Sequence, residues 1–250
     1  LVPGLVEIVR RNLNHGNEDV RLFELGKVFV PRKVDNTEGI REISRLALVA
    51  TGEFYQPFWK NWGDEFRFYH LKGILNSLIA SFDRELDYTT DFDIDFLHPG
   101  IAANVALEGQ FLGVLGELHP RIAEAYRFRK PVLVAEIELT ALYARALPEP
   151  TYTSFGRFPL VQRDLSFLFD KEQKYGKILE LIKGLDISEL KDVRLVDLFL
   201  GPNLSQGKAS LTVRLTFANP KKTLTQEEVS RHTDAIVSMV CEKFGMEIRT

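Results

Sequence analysis

The sequence predicts an α+β chain in two parts, the second with element order β-α-β-β-α-β. Three observations carry this. Short strand-like runs surround one long helical pattern, Leu71 to Phe82, in the first 147 residues. A proline-bracketed break, Leu147-Pro148-Glu149-Pro150, separates this part from the remainder of the chain. Beyond it, Ala209, Leu211, Val213, Leu215 and Phe217 alternate with Ser210, Thr212, Arg214 and Thr216, the period of a half-buried strand.

In chain order, residues 3–15 read as a helix. Pro3 suits a first turn, and Leu5, Ile8, Val9 and Leu13 recur at helical spacing. Leu22 to Val30 is strand-like, the charged residues 31–43 read as a loop, and Leu46 to Thr51 is a second strand. Leu71, Ile74, Leu75, Leu78, Ile79 and Phe82 follow the i, i+3, i+4, i+7 pattern of a packed helix. Asn104–Leu107 and Phe111–Leu115 flank Glu108-Gly109 as a hairpin. His119-Pro120 opens a short helix, and Pro131 to Ile137 is a strand.

In the second part Leu165, Phe167 and Phe169 share one strand face. Ile178, Leu179, Ile182 and Leu185 mark a helix, Val193 to Leu200 a strand, and Gly201-Pro202-Asn203 a turn. Thr225 and Glu228 form a capping box, and Gly245 is placed to end the helix that it starts. Met246 to Arg249 closes the chain as a strand. This order is the ferredoxin-like arrangement.

Composition sets limits. Apolar residues make up 45% of the 250, enough for sizeable cores, and the net charge of −3 excludes a grossly basic nucleic-acid binder. From residue 151 onward there are 15 Lys and Arg against 13 Asp and Glu, whereas residues 1–150 carry 17 against 22. The single cysteine, Cys241, excludes an internal disulfide and a Cys-based zinc site, and its place beside apolar helix positions suits a buried thiol. No apolar run approaches the roughly 20 residues of a membrane span. The start at Leu1-Val2-Pro3-Gly4, without Met, reads as part of something longer.

A four-stranded sheet with both helices on one side leaves its other face open. That face is predicted to carry Asp164 and Ser166 on the first strand and Ser210, Thr212, Arg214 and Thr216 on the third, with Arg157, Arg163 and Lys208 near strand ends. Short polar side chains and Arg can bond unstacked bases and phosphates. Most open polar faces are only solvated, so spacing alone leaves this undecided. Phe167, Phe169 and Phe217 are expected in the core.

Motifs sharpen the reading. Phe158-Pro159-Leu160-Val161-Gln162-Arg163-Asp164-Leu165-Ser166, Gly207-Lys208, Leu215-Thr216-Phe217 and Thr223-Leu224-Thr225 resemble the ferredoxin-fold anticodon-binding domain of phenylalanyl-tRNA synthetases. Leu1-Val2-Pro3-Gly4-Leu5, Arg10-Arg11-Asn12-Leu13-Asn14, Leu22-Phe23-Glu24-Leu25-Gly26-Lys27-Val28-Phe29, Leu71-Lys72-Gly73 and Leu115-Gly116-Glu117-Leu118-His119-Pro120 resemble the bacterial-type β-subunit of that family. The resemblance implies a C-terminal β-subunit fragment in three stretches. Residues 1–147 would be a non-catalytic, class II synthetase-like antiparallel sheet with flanking helices, 148–154 a linker, and 155–250 the anticodon-binding domain. It implies an α-subunit partner in an (αβ)₂ heterotetramer, tRNA(Phe) as ligand, a cytoplasmic location and no membrane. ATP and Mg²⁺ would be used by the holoenzyme and none by this fragment. The tRNA-binding residues so implied are Arg157, Arg163, Asp164, Ser166, Lys208, Ser210, Thr212 and Arg214. The alternative is a stand-alone RNA-binding or regulatory module derived from the synthetase.

Catalytic residues are not expected. Class II chemistry needs an Arg clamp on the ATP phosphates and small residues beside the adenine. At the corresponding strand–helix step the chain reads Ala135-Glu136-Ile137-Glu138-Leu139-Thr140-Ala141-Leu142, with Ala141 at the clamp position. Arg32 is the nearest candidate for the other clamp. The five histidines, His15, His70, His98, His119 and His232, lack metal-ligand spacing, and no metal site is predicted; Asp91, Asp93 and Asp95 read as a solvated acidic edge. Phe54, Tyr55, Phe58, Trp59 and Trp62 are candidates for a partner interface or for core filling.

Overall fold

The computed structural model describes residues 1–34, 37–59, 63–91, 94–143, 149, 152, 156–171, 173–201, 204 and 207–249. Two compact units emerge, Leu1–Pro150 and Thr151–Thr250. Of the predicted linker 148–154, only Glu149 and Tyr152 are among the described residues; Trp62, Asp93, Pro202 and Asn203 lie outside them.

The first unit begins with α1 (Val2–Asn14), which buries Val2, Leu5, Val6 and Val9 while Ile8 turns outward. β1 (Val20–Val34) and β2 (Thr37–Thr51) form a long hairpin, paired from Val20↔Thr51 to Val34↔Thr37. Residues 31–34 and 37–43 are therefore not a loop. Their charged composition suggested one, but this end of the hairpin pairs only with itself, since β8 meets β2 only over Arg45–Ala50. A free two-stranded ribbon has no core to face, so polar residues suit it. Lys27 and Glu42, 2.7 Å apart, bridge its strands.

β3 (Glu53–Tyr55) and β4 (Asp64–Glu65) pair as a small ribbon before α2 (Phe68–Ala80). Then come β5 (Asp87–Thr89), β6 (Leu97–Leu107), β7 (Gln110–Leu118), α3 (Pro120–Ala125), β8 (Leu133–Glu138) and α4 (Thr140–Tyr143). The sheet order is β1-β2-β8-β7-β6-β5, every neighbouring pair antiparallel. The Glu108-Gly109 turn joins β6 to β7 with both residues at positive φ, 51° and 77°, as a two-residue hairpin demands.

Side-chain parity splits the core in two. On β8, Leu133, Ala135 and Ile137 pack with Leu71, Leu75 and Ile79 of α2. Val134 packs on the other face with Val2, Leu5 and Val9 of α1. Helices on both faces thus account for the long apolar runs of the central strands. β7 meets β8 so closely that a Cβ at Gly113 would stand 1.9 Å from the Glu136 carbonyl oxygen. This glycine serves strand approach.

The second unit contains β9 (Val161–Asp170), α5 (Tyr175–Lys183), β10 (Leu190–Phe199), β11 (Lys208–Phe217), α6 (Gln226–Phe244) and β12 (Glu247–Ile248). Its sheet order is β10-β11-β9-β12. Leu165, Phe167, Phe169, Leu211, Val213, Leu215 and Phe217 are buried against Ile178 and Ile182 of α5 and Val229, Ile236 and Val240 of α6. The α6 capping box is complete. The Glu228 N–H donates to the Thr225 hydroxyl at 3.2 Å, and the Thr225 N–H donates to the Glu228 carboxylate at 3.0 Å. Gly245, at φ 63°, ends the helix in the left-handed conformation that glycine adopts without strain.

Gly113→Ala should lower unfolding free energy by about 3 kcal/mol in denaturant melts, because backbone must move to admit the methyl. The capping box makes stability depend on acid. Lys222, together with the Thr225 backbone, holds the Glu228 carboxyl down at about 2 against an ordinary 4.5. A carboxyl lowered on folding adds stability that is complete above its unfolded value and is lost as pH falls toward the folded one. Urea midpoints of the parent and Glu228→Gln chains should therefore differ above pH 4.5 and converge between 4.5 and about 2.

Candidate nucleic-acid interface

Both helices of the second unit pack on one side of its sheet, so the other side is built from what the strands alone supply. Cross-strand register fixes its rows. Asp170 and Lys208 form one, Ser166 and Thr212 another, Asp164 and Arg214 a third, and Gln162 and Thr216 a fourth. β10 extends them: Asp197 stands opposite Thr212, Arg194 opposite Arg214 and Asp192 opposite Thr216.

The register brings some of the predicted residues together and separates others. Arg214 meets Asp164 through two parallel bonds, Nε to Oδ1 and Nη2 to Oδ2, each 2.7 Å. The bond from Arg214 holds the Asp164 carboxyl below its ordinary value, and Asp164 raises Arg214 in turn. This fork leaves other guanidinium N–H groups of Arg214 for a ligand. The Ser166 and Thr212 hydroxyls lie 2.9 Å apart. Lys208 sits 3.1 Å from the Asp170 carboxylate. Ser210 has open-face parity yet is only 3% exposed, flanked in its row by Phe199 and Leu168. Arg163 has the opposite parity, paired with Leu215, and is half-buried near the strand's start; its guanidinium bonds the Gln162 carbonyl at 3.1 Å. Arg157 precedes β9 and is exposed.

Phe199 is the residue that spacing missed. Simple alternation along β10 would place it with Val193 and Leu195 on the helix-packed face. The register instead slips between Leu195 and Asp197, so that Val196 is an extra residue and Phe199 comes opposite Ser210 on the open face. Its ring is partly exposed, with the Arg249 guanidinium 6.0 Å from its centroid. Along the same strand, Lys191 and Arg194 join Arg214 and Gln162 in lining a groove of about 490 Å³. Arg194 is paired with Asp192 at 2.5 Å. A sheet face with a cation-lined groove at one end and hydroxyls and an aromatic ring in the rows beyond it has the parts that bind single-stranded nucleic acid: charge for phosphates and a face for a base.

The first unit places its catalytic-like positions differently. Glu136 accepts from Arg45 at 2.5 Å. Glu138 pairs with Arg41 at 3.0 Å. Ala141 lies in α4 and carries no charge to a phosphate. The side chain of Arg32 lies outside the described residues. Two anionic side chains in ion pairs on one strand do not fit a triphosphate.

The remaining candidates have local tasks. His119 accepts from the Arg121 N–H at 3.1 Å and caps α3, and His98 accepts from the Gly100 N–H at 2.9 Å. His70 stacks on Phe54, centroids 4.2 Å apart, and pairs with Asp64 at 3.0 Å. His232 stacks on Phe217, and the His15 ring lies 2.7 Å from the Arg11 carbonyl. Of the aromatic run, Phe54 packs against the core whereas Tyr55, Phe58 and Trp59 are exposed. Cys241 is half-buried against the second core.

Comparison with known proteins gives two matches that together span most of the chain. Residues 1–139 match the family described as phenylalanyl tRNA synthetase beta chain CLM domain, and residues 156–249 the ferredoxin-fold anticodon binding domain. The phenylalanine–tRNA ligase beta subunit of Carboxydothermus hydrogenoformans is 36% identical over 251 residues, covering 100% of this chain and 31% of that protein. That of Streptococcus pneumoniae is 32% identical over 249 residues, with the same shares covered. The chain thus spans under a third of the length of these relatives. A solved pyrrolysyl tRNA synthetase from Desulfitobacterium hafniense overlaps 57% of this chain and 47% of its own at 15% identity, with a TM-score of 0.41, too slight a likeness to weigh.

Proposed function

The chain belongs to the phenylalanyl-tRNA synthetase β-chain family, and on that premise we propose that it is a portion of a phenylalanine–tRNA ligase β-subunit whose second unit binds tRNA(Phe). The observation that carries this reading is the open sheet face. It carries the Phe199 ring, the Ser166 and Thr212 hydroxyls and the forked Arg214 in successive rows, and Arg214 also lines a groove of about 490 Å³. An unstacked base would lie on Phe199, and its polar edge would meet the hydroxyl pair. Arg214, oriented by Asp164, would hold a phosphate or a base edge with the N–H groups that Asp164 leaves unused. Lys191 and Arg194 would extend the positive track along the edge strand. Lys208, Arg157 and Arg163, at or near strand ends, would meet the flanking backbone.

The first unit is read as a docking module for the α-subunit within an (αβ)₂ assembly in the cytoplasm. The exposed Tyr55, Phe58 and Trp59 suit a protein interface. No helix among the described residues is long and apolar enough to cross a membrane. ATP and Mg²⁺ would be used by the whole ligase through another chain, because the ion-paired Glu136 and Glu138 do not fit a triphosphate.

The test is equilibrium binding of tRNA(Phe) by the 250-residue chain. Stacking of one base is worth about 1–3 kcal/mol, so Phe199→Ala should weaken binding about tenfold while Phe199→Tyr keeps most of it. Arg214→Ala should weaken it too, by removing a cation and leaving Asp164 unpaired toward the RNA. Unchanged affinity in both alanine variants would sink the open-face assignment.

A further inference from the structure

A second basic surface lies in the first unit, where the end of α1 faces the segment between α3 and β8. Two adjoining cavities, about 440 and 250 Å³, share Leu13, Asn14 and Arg127. Arg129 and Lys130 line the larger and Arg10 the smaller; among the described residues Glu18 is the one carboxylate lining either. Four cations against one anion is a local excess in a unit whose residues 1–150 hold 17 Lys and Arg against 22 Asp and Glu.

Two of these cations have no counter-charge. Arg10 is held by Glu7 and Lys130 by Glu53, but among the described residues neither Arg127 nor Arg129 forms an ion pair, and both are exposed. They do not serve as helix caps either. The last carbonyls of α1, those of Arg11, Asn12 and Leu13, already accept from the N–H groups of His15, Gly16 and Asn17.

The backbone at Arg127 is the second observation. Its φ is 58°, and it follows the C-cap residue of α3, with its N–H bonded to the Glu124 carbonyl and that of Phe128 to the Ala123 carbonyl, both 2.9 Å. This is the left-handed helix-end position that favours glycine. A long cation stands where folding alone would favour glycine, and strained positions of this kind gather at binding sites. The turn directs Arg127 and Arg129 to the groove on either side of Phe128, whose ring stacks on Tyr126 with centroids 5.4 Å apart.

We infer that this groove is a second RNA contact, one that reads the phosphodiester backbone and not the bases. Arg127 and Arg129 clasp phosphates, and Arg10 and Lys130 extend the field at the rims. Guanidinium groups without partners suit phosphate through parallel N–H bonds, and such contacts carry no sequence information. The inference rests on the reading of the chain as an RNA binder, but it uses residues of the other unit.

The test uses the 250-residue chain, a tRNA(Phe) transcript and a second transcript of equal length but unrelated sequence, each titrated across a salt series. Arg127→Gln/Arg129→Gln should weaken both transcripts by roughly tenfold at low salt and flatten the salt slope by about two. Arg127→Gly separates charge from fold: glycine relaxes the backbone, so the melting temperature should hold or rise while affinity falls by about threefold. Unchanged affinity and slope in these variants overturns the inference, and loss confined to Phe199→Ala and Arg214→Ala does so while leaving the open-face reading intact. Loss in the groove variants with none at Phe199 or Arg214 supports the groove and removes the open face. Loss at neither place removes both.

Discussion

A strand offers each side chain one of two faces, and this constraint organises both units. On β8 it sends Leu133, Ala135 and Ile137 toward α2 and Val134 toward α1, so a single strand serves two cores. In the second unit it divides β9 and β11 between a buried set and a solvated set. The apolar half fixes the register, because a slip of one residue would bring Phe167 and Leu211 into water and Ser166 and Thr212 into the core. The polar half comes with it and contributes little to stability. A binding face that arises with the fold in this way can change its side chains while the core stays as it is.

Electrostatic pairing does different work on the two sheets. In the first unit the carboxylates of Glu136 and Glu138 are tied to Arg45 and Arg41 across neighbouring strands, which neutralises a surface where an anion would otherwise be repelled or a cation drawn in. In the second, Asp164 grips Arg214 edge-on and leaves part of the guanidinium outward. The first arrangement closes a surface and the second holds a donor ready.

The sequence revealed those parts of the structure that obey a regular period or a local bond. The alternation of β11, the capping box of α6 and the Gly245 stop are all chemistry between near neighbours, and each stands in the fold as its spacing implied. What stayed hidden depended on partners. The charged residues 31–34 and 37–43 belong to the free end of a ribbon, and polar strands without a core to face have no apolar signature. Parity alone would send Phe199 to the core, and one unpaired residue, Val196, turns it the other way. A bulge leaves no mark in composition; it is defined by the strand across from it. The groove at Arg127 was equally silent, since Arg-Phe-Arg-Lys at 127–130 reads as an ordinary surface until the end of α1 is placed opposite.

β10 is the outermost strand of its sheet, and most of its second half is apolar: Leu195, Val196, Leu198, Phe199 and the adjoining Leu200 are all exposed. A flat border of that composition would invite another chain to add a strand, and the result would be aggregation. Val196 interrupts the regular row of amides and carbonyls that such an addition needs, and Arg194 and Asp197 set charges on both sides of the break. The irregularity that turns an aromatic ring outward is therefore also what lets a sticky border stay single in a crowded solution.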